Sequence, residues 1–385
     1  MRIYLDYNAT APVPPVVVEA TTVALRDCYG NASSVHVFGQ QAKAVLDESR
    51  SAVARLIGAE PSEIVFTAGG TESDNLAVRG VAEALESTGR RHVITSAIEH
   101  EAVLNSVKAL GKRGWTTTLL PVDGTGVIAP GALASAIDDR TALISIMLAN
   151  NELGTIQPVA ELAAIARARG ALVHTDAVQA VGRIPVDVRA LGVDLLTLSG
   201  HKFGAPKGVG ALWVRRGLAL QAQSTGGRQE RGRRAGTENV PALEGLRVAA
   251  DIVSRTLAAE ARRITSLRDR LESGILGLVQ GSVVNGDPAA RVPNTSNISF
   301  ERVEGESLVI ALDLKGIAVS TGSACSSGTL EPSHVLRAIG LSSSRVQNAI
   351  RFSLGPATTG AEIDRVLDVL PALVSRLRSR GGGRG

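Results

Sequence analysis

The sequence predicts an α/β protein: a large domain with a mostly parallel seven-stranded sheet flanked by helices, plus a smaller C-terminal α/β domain. Three observations lead there. Between about residues 62 and 216, short apolar runs alternate with amphipathic ones. The chain has 385 residues, more than one ordinary core organises. From 240 to 279 a single long helical pattern intervenes, after which strands and helices return in a different rhythm.

The strand candidates, in chain order, are 63–68 (EIVFTA), 92–97 (HVITSA), 115–122 (WTTTLLPV), 142–149 (ALISIMLA), 171–177 (ALVHTDA), 194–199 (DLLTLS) and 210–215 (GALWVR). Most are separated by helical runs such as 161–170 (ELAAIARARG), which puts Leu162, Ile165 and Ala166 on one face. Short apolar strands between helices are the pattern of a parallel sheet covered on both sides. The segment 224–240 is polar, glycine-rich and basic, so it is expected to add no core element. The expected boundaries are 12–255 for the large domain, 1–11 with 256–375 for the small one, and 376–385 for a flexible tail.

Composition narrows the partners. Hydrophobic residues make up 44% and charged residues 20%, a globular balance. The formal charge of +4 has a local source: Arg376, Arg378, Arg380 and Arg384 lie in the last ten residues, where no acid occurs. With aromatic residues at 3%, neither a basic face nor stacking platforms for nucleic acid are expected. No apolar run reaches the roughly 18 residues that would span a bilayer, and the opening MRIYLDYNATAPVPP breaks up the apolar core of a secretory signal. Two cysteines, Cys28 and Cys325, stand far apart, which fits a reducing cytoplasm better than a disulfide framework.

Polar residues recur where the strands end: GGTESDN after the first, IEHEAV after the second, NNELGTIQP after ALISIMLA, an aspartate closing ALVHTD, and SGHK after DLLTL. Ligands of parallel sheets sit beyond the carboxyl ends of the strands, so this rim is the expected site. Gly70 and Thr71 open a helix directly after a strand, a geometry that suits phosphate, and Ser199 and His201 add donors. No G-x-x-x-x-G-K-[ST] segment occurs. Lys202, at a dehydrated strand end, suits a nucleophilic amine whose covalent partner is an aldehyde. Pyridoxal phosphate unites an aldehyde, a phosphate and a ring nitrogen that wants an acidic partner. In that reading Lys202 forms the Schiff base, Asp176 holds the pyridinium proton, Gln179 donates to the ring hydroxyl and His100 stacks on the ring. No metal site is read.

At this point the chain resembles the cysteine desulfurases, which are pyridoxal-phosphate-dependent and class V aminotransferase-like. It is most similar to the branch serving iron–sulfur cluster assembly and nitrogen fixation. The segments YLDYNATAP, NASSVHVFGQQA, FTAGGTESDN, EHEAV, NNELGTIQP, DAVQAVG, SGHKFGAPKGVG, RRAGTENV, STGSACSSG, EPSHVLRAIG and IRFSLG carry the likeness in order from residue 4 to about 355.

The resemblance implies a fold-type-I enzyme and a homodimer. It implies that L-cysteine is converted to L-alanine while the sulfur is held as a persulfide, for an iron–sulfur scaffold or another acceptor protein. Lys202, Cys325 and His100 are then the catalytic residues. Gly70, Thr71, His100, Asn151, Asp176, Gln179, Ser199, Gly200, His201, Lys202 and Thr237 hold the cofactor, with Thr237 reaching the phosphate of the neighbouring subunit. Asn151 and Arg351 bind the substrate carboxylate, which an arginine clamps with two parallel bonds. Cys325 sits among serines, glycines and a threonine, which argues against a core position, whereas Cys28 reads as a small buried residue. Some relatives end in an apolar, aromatic tail that docks a scaffold; this chain ends RLRSRGGGRG. The alternatives are a selenocysteine lyase, another pyridoxal-phosphate lyase or aminotransferase of the same fold, or a cofactor-free sulfur carrier or sheet-based binding protein.

Overall fold

The structure, a computed structural model, describes residues 2–322 and 332–381. Its strands are β1 (Ile3–Tyr4), β2 (Ile64–Thr67), β3 (His92–Ser96), β4 (Thr116–Leu120), β5 (Thr141–Ser145), β6 (Leu172–Asp176), β7 (Leu195–Ser199), β8 (Gly210–Val214), β9 (Ser282–Asn285), β10 (Thr295–Phe300), β11 (Ile317–Ala318) and β12 (Ala349–Ser353). Strands β2 to β8 coincide with the seven runs read from the sequence. They form one sheet in the order β2-β8-β7-β6-β5-β3-β4, and β8 alone runs antiparallel to both its neighbours. Most of these strands are buried along their whole length, because helices cover both faces and an apolar run has no solvent side to alternate with.

The winding reverses between β3 and β5: from β5 the chain proceeds through β6 to β7, whereas β3 leads the other way to β4. The crevice at such a reversal is where parallel sheets receive ligands. His100 lies just past β3, Asn151 past β5, Asp176 at the end of β6 and Lys202 just past β7.

A second unit is built on the antiparallel sheet β12-β10-β9 and the parallel pair β1–β11. Its core packs Ile298, Phe300, Ile350 and Phe352 against Leu308, Ile363 and Leu370, and it draws in Ile3 and Leu5 from the other end of the chain. The 39-residue helix Val240–Leu278, roughly 58 Å long at 1.5 Å per residue, gives Leu243, Leu246 and Ala249 to the sheet core and Ile264, Leu271 and Ile275 to the second.

One expectation is corrected. The final helix spans Gly360–Gly381 and so runs through the start of the segment read as a flexible tail. Arg378 reaches across to the carbonyls of Glu301 (2.9 Å) and Gln280 (2.8 Å), which secures that turn. Residues 382–385 lie outside the described part. Among the described residues, the segment before the long helix gives no side chain to the apolar cores, but its Glu230 is buried and grips Arg50 through two bonds of 2.7 and 2.8 Å. Cys28 is half-buried at the end of helix Pro15–Asp27.

Candidate active site

Lys202 stands in the turn Gly200–Lys202 after β7, and its Nζ donates to the carbonyls of Asn8 (2.6 Å) and Ala9 (2.9 Å). Asn8 organises what surrounds it. Its carbonyl also accepts from Gln179 Nε2 (3.0 Å), while its own Nδ2 donates to the carbonyl of Asn151 (3.0 Å) and to Thr295 Oγ1 (2.9 Å). Asn294 Nδ2 donates to Asn8 Oδ1 (2.9 Å), so the side chain is used at both ends. Arg351 on β12 donates from Nη1 to the same Asn151 carbonyl (3.0 Å) and from Nη2 to Asp6 Oδ1 (2.7 Å). The N-terminal strap thus ties the Lys202 turn to the arginine of the second unit. Arg351 is 2% exposed, and its Nε has no partner among the described residues.

Asp176 ends β6 almost out of solvent. Burial raises its pKa, and the fields of His100 and Lys202 and the bond from Val178 N to Oδ1 (2.9 Å) oppose the rise. His100 caps helix Glu101–Lys112, where Nδ1 accepts from Ala102 N (3.1 Å). Three strand ends therefore bring Asp176, His100 and Lys202 within one another's fields. Gln179, just past β6, joins them through Asn8 and accepts from Arg183 Nη1. Arg183 is buried as well; desolvation, then the charge of Arg351, push its pKa down to about 9.

The start of helix Gly70–Leu85 faces Ser199. A Cβ on Gly70 would come within 2.9 Å of Val178 Cγ2 and 3.6 Å of Ser199 Cβ, so the glycine leaves backbone N–H groups open between the ends of β6 and β7. Gly200 allows a closer approach: a Cβ there would lie 2.8 Å from Ala205 Cβ and 3.0 Å from Leu246 Cδ1. Next to it, His201 Nδ1 bonds Thr10 Oγ1 (3.1 Å), and burial, followed by Lys202, Lys207 and Arg183, lowers its pKa to about 4. At neutral pH it is an uncharged ring. Thr71 is exposed at the helix start. Thr237 is exposed before the long helix, where Arg234 Nε bonds Glu72 Oε1 (2.9 Å).

Cys325 lies outside the described residues, but both flanks of its segment are placed. Ser333 donates to Glu152 Oε2 (2.7 Å), and that oxygen also closes on Gly322, where a Cβ would stand 2.9 Å away. Arg351 Nη1 reaches the Gly322 carbonyl at 3.5 Å. Gly322 and Ser333 thus both meet Glu152, and Gly322 also lies beside Arg351. Burial raises the Glu152 carboxyl, opposed by Ser333, His334 and Arg351.

Several of these groups were not singled out in the sequence: Asp6, Asn8, Asp74, Glu99, Glu152 and Arg183. Glu99 is buried, accepts from Ser96 Oγ (2.6 Å) and from Met147 N (3.0 Å to each oxygen), and is pushed up to about 8 by its burial. The signal that could have found Asp6 and Asn8 is their polarity inside YLDYNATAP. Their partners, 143 to 345 positions away, were not visible there.

The chain matches the family model for class-V aminotransferases over residues 3–366. It is 50% identical over 377 residues to a cysteine desulfurase of Trichormus azollae, covering 98% of this chain and 94% of that one. It is 47% identical over 377 residues to the cysteine desulfurase IscS of Methanosarcina thermophila, covering 98% and 93%. A solved structure titled NifS-like protein superposes with a TM-score of 0.92 at 39% identity, covering 98% of this chain and all of the other. On sequence and fold together, the chain belongs to the class-V aminotransferase family and, within it, to the cysteine desulfurases.

Proposed function

We infer that the protein is a pyridoxal-phosphate-dependent cysteine desulfurase that converts L-cysteine to L-alanine and takes the sulfur onto Cys325 for delivery to an acceptor protein. The observation that carries the site reading is the convergence of Lys202, Asp176 and His100 at three strand ends, with the Asn8 strap linking them to Arg351. The residues fit the cofactor. A glycine-lined helix start faces Ser199, a buried acid ends the neighbouring strand and would suit a ring nitrogen, and an amine stands within the same field.

Gly70, Thr71, Ser199, Gly200 and His201 would hold the phosphate, with Thr237 supplied by the partner copy. Asp176 would pair with the ring nitrogen, Gln179 with the ring oxygen, His100 would cover one face, and Lys202 would make the covalent link. Bound there, pyridoxal phosphate supplies an electron sink for charge that develops at the substrate α-carbon. Arg351 and Asn151 orient the substrate by its carboxylate. Lys202 moves the α-proton. The Cys325 thiolate attacks the substrate sulfur: the Sγ–S bond forms, the substrate Cβ–S bond breaks, and Cβ keeps the electron pair and takes a proton to become the methyl of alanine. The persulfide stays on Cys325.

A homodimer is part of this reading. Val16, Val23, Tyr29, Val35, Val37 and Phe38 are exposed along the first two helices and the loop between them, and the Tyr29 and Phe38 rings stack at 5.3 Å. An apolar patch of this kind favours a partner surface, and a second copy also accounts for an exposed Thr237. We take 12–255 as the cofactor-holding domain, 1–11 with 256–375 as the second, a reducing cytoplasm as the compartment, and an iron–sulfur scaffold or another sulfur-acceptor protein as the acceptor.

The test is incubation with cysteine while alanine and sulfide are measured. Intact protein is expected to form both, and Cys325→Ala to lose sulfide while it keeps the yellow cofactor absorbance. Unchanged sulfide release from Cys325→Ala would remove that residue from the reaction.

A further inference from the structure

Asp74 lies on the buried face of helix Gly70–Leu85 and is 1% exposed. Its Oδ1 accepts no hydrogen bond among the described residues. The basic group beside it is His174 on β6, with Nε2 3.7 Å from that oxygen. His174 brings no charge. It is fully buried, bonds Ser145 Oγ through Nδ1 (2.8 Å) and Thr197 Oγ1 through Nε2 (3.0 Å), and is held neutral by desolvation, which lowers its pKa to about 3.

The other groups facing Asp74 do not offset a charge there. Asp176, two residues along β6 from His174, opposes its ionisation. Glu99, beyond β3, opposes it too once ionised, but its own burial pushes its pKa to about 8, so at neutral pH it brings little charge of either sign. The Thr197 hydroxyl on β7 is the hydrogen-bonding neighbour of Asp74. His100 and Lys202 turn their fields on Asp176. A carboxylate at Asp74 would be a second anion, out of water and with no cation of its own, beside the one carboxylate that the cofactor ring requires. Burying such a charge unpaired costs more than binding a proton.

We propose that Asp74 is a positioning residue that stays protonated at neutral pH, so that Asp176 stands as the single carboxylate under the cofactor ring and Asp74, bonded to the Thr197 that faces Asp176 across the β6–β7 ladder, acts on it as a neutral dipole. This rests on the reading of Asp176 as the partner of the ring nitrogen. The acid form offers an O–H donor to the Thr197 hydroxyl, on the residue paired with Asp176 between β6 and β7. Loss of that donor raises the pKa of Asp176 and weakens its hold on a protonated ring; addition of a charge does the same by repulsion.

Two variants separate shape from charge. Asp74→Asn keeps a neutral donor of the same size, and Asp74→Val removes it. In infrared difference spectra of the full chain at pH 7, wild type minus Asp74→Asn is expected to show the carbonyl band of a protonated carboxylic acid. The dissociation constant of pyridoxal phosphate and the pH titration of its bound absorbance are expected to match wild type in Asp74→Asn. In Asp74→Val, binding should weaken about tenfold, the effect of moving a coupled group by one pKa unit. The proposal is overturned if the acid band is absent, if Asp74→Asn shifts the titration as far as Asp74→Val, or if Asp74→Val binds as wild type does. Failure of wild type to bind pyridoxal phosphate would instead remove the reading of Asp176, and the infrared arm would still report the proton on Asp74.

Discussion

Arg351 donates to Asp6 Oδ1 at 2.7 Å across 345 positions of chain, and this pair holds the proposed substrate clamp in the crevice before any substrate arrives. The guanidinium is almost wholly out of water, so Asp6 is the charge that makes its burial tolerable. Asp6→Ala leaves Arg351 uncompensated and should lower unfolding stability by about 3–5 kcal/mol in chemical denaturation. Asp6→Asn keeps an acceptor and should cost less, but should raise KM for cysteine through a mis-aimed fork. A KM unchanged in Asp6→Asn would mean that Arg351 is aimed by Asn151 alone.

The pair Arg50–Glu230 gives a second, independent prediction. Glu230 accepts from both Arg50 Nη atoms and from Phe66 N (2.9 Å), so it pins the segment that bears Thr237 to β2. Both side chains are buried. Glu230→Ala should cost about 3–5 kcal/mol, since it strands a buried arginine. If Thr237 acts through this segment, cofactor affinity should fall as well, which fluorescence titration would measure.

The buried titratable groups predict opposite slopes of stability with pH. Glu99 has its folded pKa raised to about 8 by burial, so its contribution is full below the ordinary carboxylate range and is lost as pH rises toward 8. Glu99→Gln should therefore gain on wild type between about pH 5 and 8, by at most about 1.4 kcal/mol per pH unit. His174 is the reverse case. Its folded pKa is lowered to about 3, so its contribution is present above 6.5 and is lost as pH falls toward 3. His174→Gln should flatten the acid limb in denaturation series below pH 6.5; an unaltered limb would mean that His174 takes up its proton in the folded protein.

Gly200 tests the turn that carries Lys202. With backbone and side-chain atoms of Val209, Leu246 and Ala205 between 2.8 and 3.1 Å from the missing Cβ, Gly200→Ala forces the turn to move. Overpacking of this kind costs about 1–3 kcal/mol. The thermal midpoint should drop, and the cofactor absorbance should form more slowly as Lys202 shifts.

Much of the fold was legible because its signal is local. The seven strands announce themselves as short apolar runs, and the long helix as an unbroken periodicity, since each needs only neighbouring residues to be recognised. The rim was legible for a related reason: topology places every carboxyl end of a parallel strand on one side, so the residues after ALISIMLA, ALVHTD and DLLTL meet wherever the sheet forms. The end of the last helix was misread because glycine and arginine content says nothing of Glu301 and Gln280, whose carbonyls hold Arg378 in place.

By itself, then, the sequence determined which polar residues follow the strands and on which edge of the sheet they gather, because period and strand order are properties of contiguous chain. Only the tertiary structure decided their state. Asn8 meeting Lys202, Asp6 meeting Arg351, and Asp74 shut in beside Asp176 all depend on segments far apart in sequence. Charge, burial and partnership are properties of the space around a side chain, and that space exists only after the chain has folded.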